Sequence, residues 1–111
     1  MSREPKTAGK SQGVEFESQG DGRFALRGEL SFQTAIRALD ASKGLFSPHR
    51  DLEIDLAGVG RVDSAGLALL LEWVSWARSQ SRTVRFRNIP QQILSMAQMS
   101  EVESMLPGAS G

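Results

Sequence analysis

The chain contains no cysteine and no tyrosine, and its only histidine is His49. The missing thiols exclude disulfides, thiolate nucleophiles and cysteine-ligated zinc together. One histidine with scattered carboxylates offers no clustered ligand set for a metal, so no metal and no cofactor is expected. Charge of one sign is missing too: 13 Lys and Arg balance 13 Asp and Glu, and no net field draws the chain toward nucleic acid or an anionic membrane. Long apolar runs are also absent. Leu67 to Leu71 falls far short of the roughly 18 residues of a membrane span, and no basic amphipathic helix points to lipid binding. The opening stretch MSREPKTAGKSQG lacks the apolar region of a secretory signal. These exclusions predict a soluble, cytoplasmic protein without direct membrane insertion.

What is present is a 111-residue chain with 40% apolar residues, long enough for one domain with a real core. Residues 1–13 are polar and rich in Lys, Ser, Gln and Gly, and read as a disordered tail. The domain spans 14–107, and 108–111 reads as a flexible end. Within the domain, VEFESQ (14–19) alternates as an edge strand, and after the turn signal Gly20-Asp21-Gly22 the segment 23–32 alternates again, predicting a hairpin. Gly28 inside the second strand predicts a bulge or a close backbone approach. A helix follows, with Ala35, Ile36 and Leu39 on one face and an end near Gly44.

Residues 52–59, LEIDLAGV, form the clearest strand, with Leu52, Ile54 and Leu56 on one side. A helix over about 65–80, a strand over 83–89 and a last helix opened by Pro90 complete the order β-β-α-β-α-β-α. Strands alternating with helices predict an α/β fold: a small mixed sheet of four to five strands with three helices packed on it.

The segment with the most chemistry is VDSAGLALLL (62–71), where a strand feeds a helix through Asp63-Ser64-Ala65-Gly66. A nucleophile elbow needs Gly-x-Ser-x-Gly, and the residue two before Ser64 is Val62. A serine triad would rest wholly on His49, a loop residue. Gly58-Val59-Gly60 followed by Gly66 is no phosphate-binding loop, since no lysine is placed to reach phosphates, and Gly60 reads as turning the chain. Arg82, Arg85 and Arg87 lack the interleaved aromatics of a nucleic-acid surface and read as a solvated face.

Two readings remain for the turn. Asp63 or Ser64 caps the helix, through hydrogen bonds to free backbone N–H groups and a favourable dipole. Alternatively, or in addition, the turn is regulatory: a phosphate on Ser64 would sit at a helix N-terminus that favours an anion. On the helix, Leu67, Leu70, Leu71 and Val74 form the sheet-facing stripe, while Leu69, Trp73 and Trp76 lie on nearly the opposite side. The tryptophans either tuck beneath a neighbouring element or form an exposed apolar patch for a partner.

The strand LEIDLAGVGRV, the turn Asp63-Ser64-Ala65-Gly66-Leu67, the apolar helix and TVRFRNIP together resemble the STAS domain family. LRGELSF (26–32) is similar to that family's second strand. The family includes anti-sigma factor antagonists and the cytoplasmic tails of sulfate transporters. VDSAGLALLLEWVSWARSQ and the closing VESMLP resemble its MlaB-type branch. That resemblance implies a non-catalytic accessory subunit that binds the ATPase of a phospholipid-transport ABC system, and through it the membrane permease, in maintaining outer-membrane lipid asymmetry. It places the protein in the cytoplasm, peripheral at the inner membrane through its partner. Ser64 falls on the family's functional hydroxyl, with Asp63 before it and Gly66 after it. Phosphorylation or partner contact is expected at Ser64, Asp63 and Gly66, and contact with the ATPase also at Leu69, Trp73 and Trp76. The alternative implied by the resemblance is an antagonist of an anti-sigma factor serine kinase, switched by phosphorylation of Ser64. Antagonists usually carry a second serine where this chain has Ala65, and the MlaB-type branch usually has threonine at position 64.

Overall fold

A computed structural model of the chain describes residues 7–11 and 13–108. In chain order the elements are β1 (Thr7–Ser11), β2 (Val14–Gly20), β3 (Arg23–Leu30), α1 (Phe32–Phe46), β4 (Asp51–Val62), α2 (Ser64–Ser79), β5 (Thr83–Arg87) and α3 (Gln91–Met99), with a one-turn 3-10 helix at Glu103–Met105. The strands form one five-stranded sheet in sequence order. β1, β2 and β3 pair antiparallel, and β3, β4 and β5 pair parallel. The fold class is the mixed α/β arrangement expected.

Both parallel steps, β3-α1-β4 and β4-α2-β5, advance across the sheet in the same direction. Crossovers of one hand therefore place α1 and α2 on the same face, where they pack side by side with α3 beyond α2. Strand alternation sorts the side chains accordingly. Phe16, Leu26, Ile54, Leu56 and Phe86 point toward the helices and are almost fully buried. On the opposite, open face, Arg23, Glu53 and Arg85 stand in one cross-strand row and Ala25, Asp55 and Arg87 in the next. Arg27 pairs with Glu17, and Arg87 Nη1 lies 3.2 Å from Glu53 Oε2. Exposed pairs contribute roughly 0–1 kcal/mol each, so this ladder keeps the face wet and in register more than it holds the fold together.

α2 is the middle helix of three, which explains its two apolar stripes. Leu67, Leu70 and Val74 meet the sheet, while Trp73 turns toward α1 and sits in an aromatic cluster with ring centroids 6.0 Å from Phe16, 5.4 Å from Phe46 and 6.5 Å from Phe86. Its indole Nε1 donates to Ser42 Oγ at 2.9 Å, and Ser42 passes the bond on to Leu39 O at 2.7 Å. A buried N–H on a large ring needs such an acceptor.

Several boundaries differ from the sequence reading. Thr7–Ser11, read as part of a disordered tail, is the edge strand β1, paired antiparallel with β2; residues 1–6 and 12 lie outside the described residues. At the other end of the domain, Phe86 N donates to Pro107 O at 3.0 Å, which fastens the chain there to β5. Residues 109–111 are not described. α1 continues through Gly44 to Phe46, and Phe32 opens that helix instead of closing β3. Gly60 does not turn the chain but lies within β4, which runs on to Val62. Arg82 is not on a solvated face. Its Nη1 donates to Ser47 O and His49 O, each at 2.7 Å, and to Phe46 O at 3.2 Å, closing the carbonyl end of α1, and its guanidinium lies 5.0 Å over the Trp76 ring.

The expectation for Gly28 holds. It adopts φ +108°, and a Cβ there would stand 2.2 Å from Gly13 O. Glu29 N donates to the same carbonyl at 2.9 Å, and the β3–β4 register shifts between Gly28 and Glu29. The bulge turns the end of β3 toward the start of α1.

Two measurements check this packing. Ser42→Ala leaves the Trp73 N–H buried without its acceptor and should cost about 1–3 kcal/mol in denaturant unfolding, with tryptophan emission already blue-shifted in the free parent protein. At Asp55, burial raises the carboxyl pKa, but hydrogen bonds from Asn88 Nδ2 and Ala57 N and the charge of Arg87 outweigh it, leaving the group below its ordinary 3.8. A depressed carboxylate stabilises the fold above its unfolded pKa and loses that contribution as pH falls through the folded value. Asp55→Asn should therefore lower Tm at pH 7, and the gap to the parent should shrink as the pH is taken below about 4.

Candidate functional site

Leu30 and Val62 are in-register neighbours at the C-terminal ends of β3 and β4, and each strand leads within two residues into a helix. The N-termini of α1 and α2 therefore open side by side at one end of the sheet. This is the end at which α/β folds place their functional groups.

The two helix starts are closed differently. At α1, Thr34 Oγ1 accepts from Ser31 N at 2.8 Å and donates to Glu29 O at 2.7 Å, so a buried hydroxyl ties the first turn to the end of β3. At α2, Asp63 is extended, with φ −135° and ψ −168°, and its Oδ1 accepts from Ala65 N at 2.8 Å. Asp63 N donates to Leu30 O at 3.1 Å, anchoring the cap to the neighbouring strand.

Asp63 is thus the cap, and Ser64 is the first residue of the helix. Ser64 is exposed, and its hydroxyl has no hydrogen-bond partner among the described residues. Gly66, two residues on, faces inward: a Cβ there would stand 3.1 Å from both Cβ and O of Leu30. Its role is to let the first turn of α2 approach β3, which removes it from the contact surface on which it was expected.

Beside Ser64 lies a shallow apolar groove of about 280 Å³, walled by Phe32, Ala35, Ile36 and Leu39 of α1 and by Ala65, Ala68, Leu69 and Glu72 of α2. Phe32 and Ile36 are 70% and 61% exposed, high values for large apolar side chains. Ala35, Ile36 and Leu39 do share a face, as their spacing indicated. That face borders this groove, and it leaves Ile36 in solvent.

The expected patch of Leu69, Trp73 and Trp76 is not a surface. Trp73 is 1% exposed and belongs to the core, Trp76 is half-buried beneath Arg82, and Leu69 is a buried residue at the base of the groove. The reason is packing: Trp73 lies against Phe16 and Phe86 of the sheet as well as Phe46 of α1, so the stripe turns into the core instead of outward. The exposed apolar residues at this end come from α1 instead, and Phe32, Ile36 and Glu72 were missed. The available signal was the apolar pair at positions 32 and 36, one turn apart on a helix whose core needs were already met by Ala35, Ala38 and Phe46.

His49 takes no part in the site. It precedes β4 and packs its ring 5.8 Å from Phe24, whereas Ser64 follows β4. Twelve strand residues at about 3.3 Å each set the two roughly 35–40 Å apart along the sheet.

The architecture is shared with anti-sigma factor antagonists. The unphosphorylated form of the anti-sigma factor antagonist SpoIIAA superposes with a TM-score of 0.64 at 15% identity, covering 84% of each chain. The phosphorylated form of the Bacillus cell fate determinant SpoIIAA gives 0.63 at 15% identity, covering 84% of this chain and 87% of that one. The protein Mglu is similar at 30% identity and a TM-score of 0.57, over 78% of this chain but only 23% of its own length. The sequence matches no curated protein. Residues 14–107 match the family model described as the MlaB STAS domain, and the chain belongs to that family. STAS domains mediate protein–protein interaction. Among the described residues, no helix is long and apolar enough to cross a membrane.

Because Asp63 and not Ser64 makes the cap, the two positions should separate in stability. Asp63→Ala should cost about 1 kcal/mol, a fall in Tm of roughly 4–8 °C for a domain of this size. Ser64→Ala should leave Tm within about 2 °C, as surface substitutions outside a structural device usually do. Thermal unfolding of the two variants checks both.

Proposed function

We propose that the chain is a non-catalytic accessory subunit that binds the ATPase of a phospholipid-transport ABC system of the Mla type, with Ser64 at the contact. The observation that carries the reading is the division of work at the α2 start. Asp63 supplies the cap, so nothing in the fold requires a hydroxyl at position 64, yet one is presented to solvent on a rigid helix end beside exposed apolar side chains. The match to the MlaB STAS family model favours a transporter ATPase as the partner. The ATPase brings the chain to the inner-membrane surface, and the permease is reached through it.

One observation favours a second reading. SpoIIAA is known in both unphosphorylated and phosphorylated forms, and Ser64 offers an accessible hydroxyl at a helix N-terminus that accommodates a phosphate. Under this reading the partner is an anti-sigma factor serine kinase, and phosphate at Ser64 places about two negative charges next to Asp63, repelling whatever sits on the turn.

Tagged protein recovered from its native cells, with and without Ser64→Asp, separates the two. The transporter reading expects an ABC ATPase and its permease to co-purify, with recovery reduced about tenfold or more by the new charge at the contact. A soluble serine kinase in their place, together with phosphate on Ser64 by mass spectrometry, transfers the protein to the antagonist class.

A further inference from the structure

We propose that the groove between the first turns of α1 and α2 receives one amphipathic helix of the partner protein, with an apolar stripe seated against Phe32, Ile36 and Ala68 and a lysine or arginine meeting Glu72. The inference rests on the reading of this chain as a partner-binding subunit, and names the element and chemistry that the surface recognises.

Both walls have the geometry of helix packing. Phe32, Ala35, Ile36 and Leu39 recur at i, i+3, i+4 and i+7, and Ala65, Ala68, Leu69 and Glu72 follow the same spacing. α1 and α2 each return from the end of one parallel strand to the start of the next, so they run in the same direction. Two stripes with a shared direction and a furrow between them form the seat into which a third helix packs by ridges and grooves. Alanines at 35, 65 and 68 keep the furrow open enough for a backbone to come close. Each stripe spans seven steps of about 1.5 Å, roughly 10 Å in all, which matches two turns of a docked helix.

The size and exposure of the groove favour side chains over a metabolite. About 280 Å³ lies just below the roughly 300–1,000 Å³ typical of small-molecule pockets, and Phe32 and Ile36 stand proud of it instead of closing over it. Apolar side chains exposed to this degree and grouped in one place are characteristic of a contact surface.

Charge selects the occupant. Glu72 is the one charged side chain on the walls of the groove, and it has no ion-pair or hydrogen-bond partner among the described residues. A basic residue on the incoming helix supplies the missing partner where its apolar neighbours exclude water, the setting in which a charge pair adds specificity. A helix with an acidic residue at that place is rejected.

The test places the photo-crosslinking residue p-benzoylphenylalanine at position 36 of the full chain in its native cells, irradiates, and identifies the linked peptide by mass spectrometry. The expected product joins position 36 to a helical segment with apolar residues at i, i+3 or i+4, and i+7 and a nearby Lys or Arg. In the purified complex, Ile36→Asp and Glu72→Lys should each weaken affinity by about tenfold or more. Replacing the partner's basic residue with Glu should restore binding to Glu72→Lys. Both positions are exposed, and unchanged circular dichroism and Tm verify that the variants fold.

A link to a loop, a strand or a second copy of this chain overturns the inference, as does full affinity in both variants. The two readings fail separately. An ABC ATPase that binds Ile36→Asp normally but Ser64→Asp weakly removes the groove and keeps the transporter assignment. A basic amphipathic helix from a different protein, linked at position 36, keeps the groove and removes the transporter.

Discussion

Trp73 is the point through which the helical layer is joined to the sheet and to itself. Its ring lies among Phe16 of β2, Phe46 of α1 and Phe86 of β5, and its N–H is held by Ser42 of α1. One side chain of α2 thereby touches the antiparallel half of the sheet, the parallel half and the adjacent helix. Because the indole requires both a cavity of its own size and an acceptor at one edge, it sets the rotation of α2 about its axis and the separation of α1 from α2. The position of Ser64 and the width of the groove beside it follow from those two quantities. A smaller residue at position 73 would free the rotation, and the exposed helix start would no longer have one geometry.

The same constraint explains which parts of the molecule were legible from residues alone. Strand alternation in 14–19, 52–56 and 83–87 read directly because each strand has one face on the helices and one charged face in water. The order of elements and the fold class followed from it. Gly28 was legible as a conflict, a glycine within a strand pattern, and the conflict was real. For Trp73 and Trp76 two placements stayed open, beneath a neighbouring element or on an exposed patch, because periodicity shows that a helix has two apolar stripes but not whether the second meets water or the rest of the fold. That choice depends on α2 lying between α1 and α3, a tertiary fact. β1 was missed for a related reason: Thr7–Ser11 carries no hydrophobic alternation, and an edge strand at the margin of a sheet is specified by backbone pairing more than by side chains.

At the site the legibility was uneven in an instructive way. The turn itself was found from its residues, since Asp-Ser before an apolar helix is a capping signature whatever else it does. Deciding between Asp63 and Ser64 required coordinates. The extended backbone at Asp63 and its hydrogen bond to Ala65 N assign the cap, and only then does the serine become surplus to the fold. The groove was harder still. Phe32 had the appearance of a strand residue and Ile36 of a core residue, because local pattern assigns apolar side chains to an interior by default. Their exposure is visible only once Ala35, Ala38 and Phe46 are seen to fill the underside of α1.

A surface built in this way carries a physical asymmetry that bears on its use. The cap, the glycine contact with Leu30 and the hydroxyl of Thr34 all fix the backbone at the two helix starts from below, through bonds to β3. None of them uses the outward atoms of Ser64, Phe32, Ile36 or Glu72. Groups that face outward on a support secured from the opposite side lose little further freedom when a partner arrives, so the cost of ordering them is met during folding and not during binding. The same separation means that, under the proposed reading, a charge added at position 64 would act on a partner and not on the fold. The helix N-terminus would tolerate the anion where an incoming surface would not, so on that reading occupancy of this end could change without any change in the domain itself.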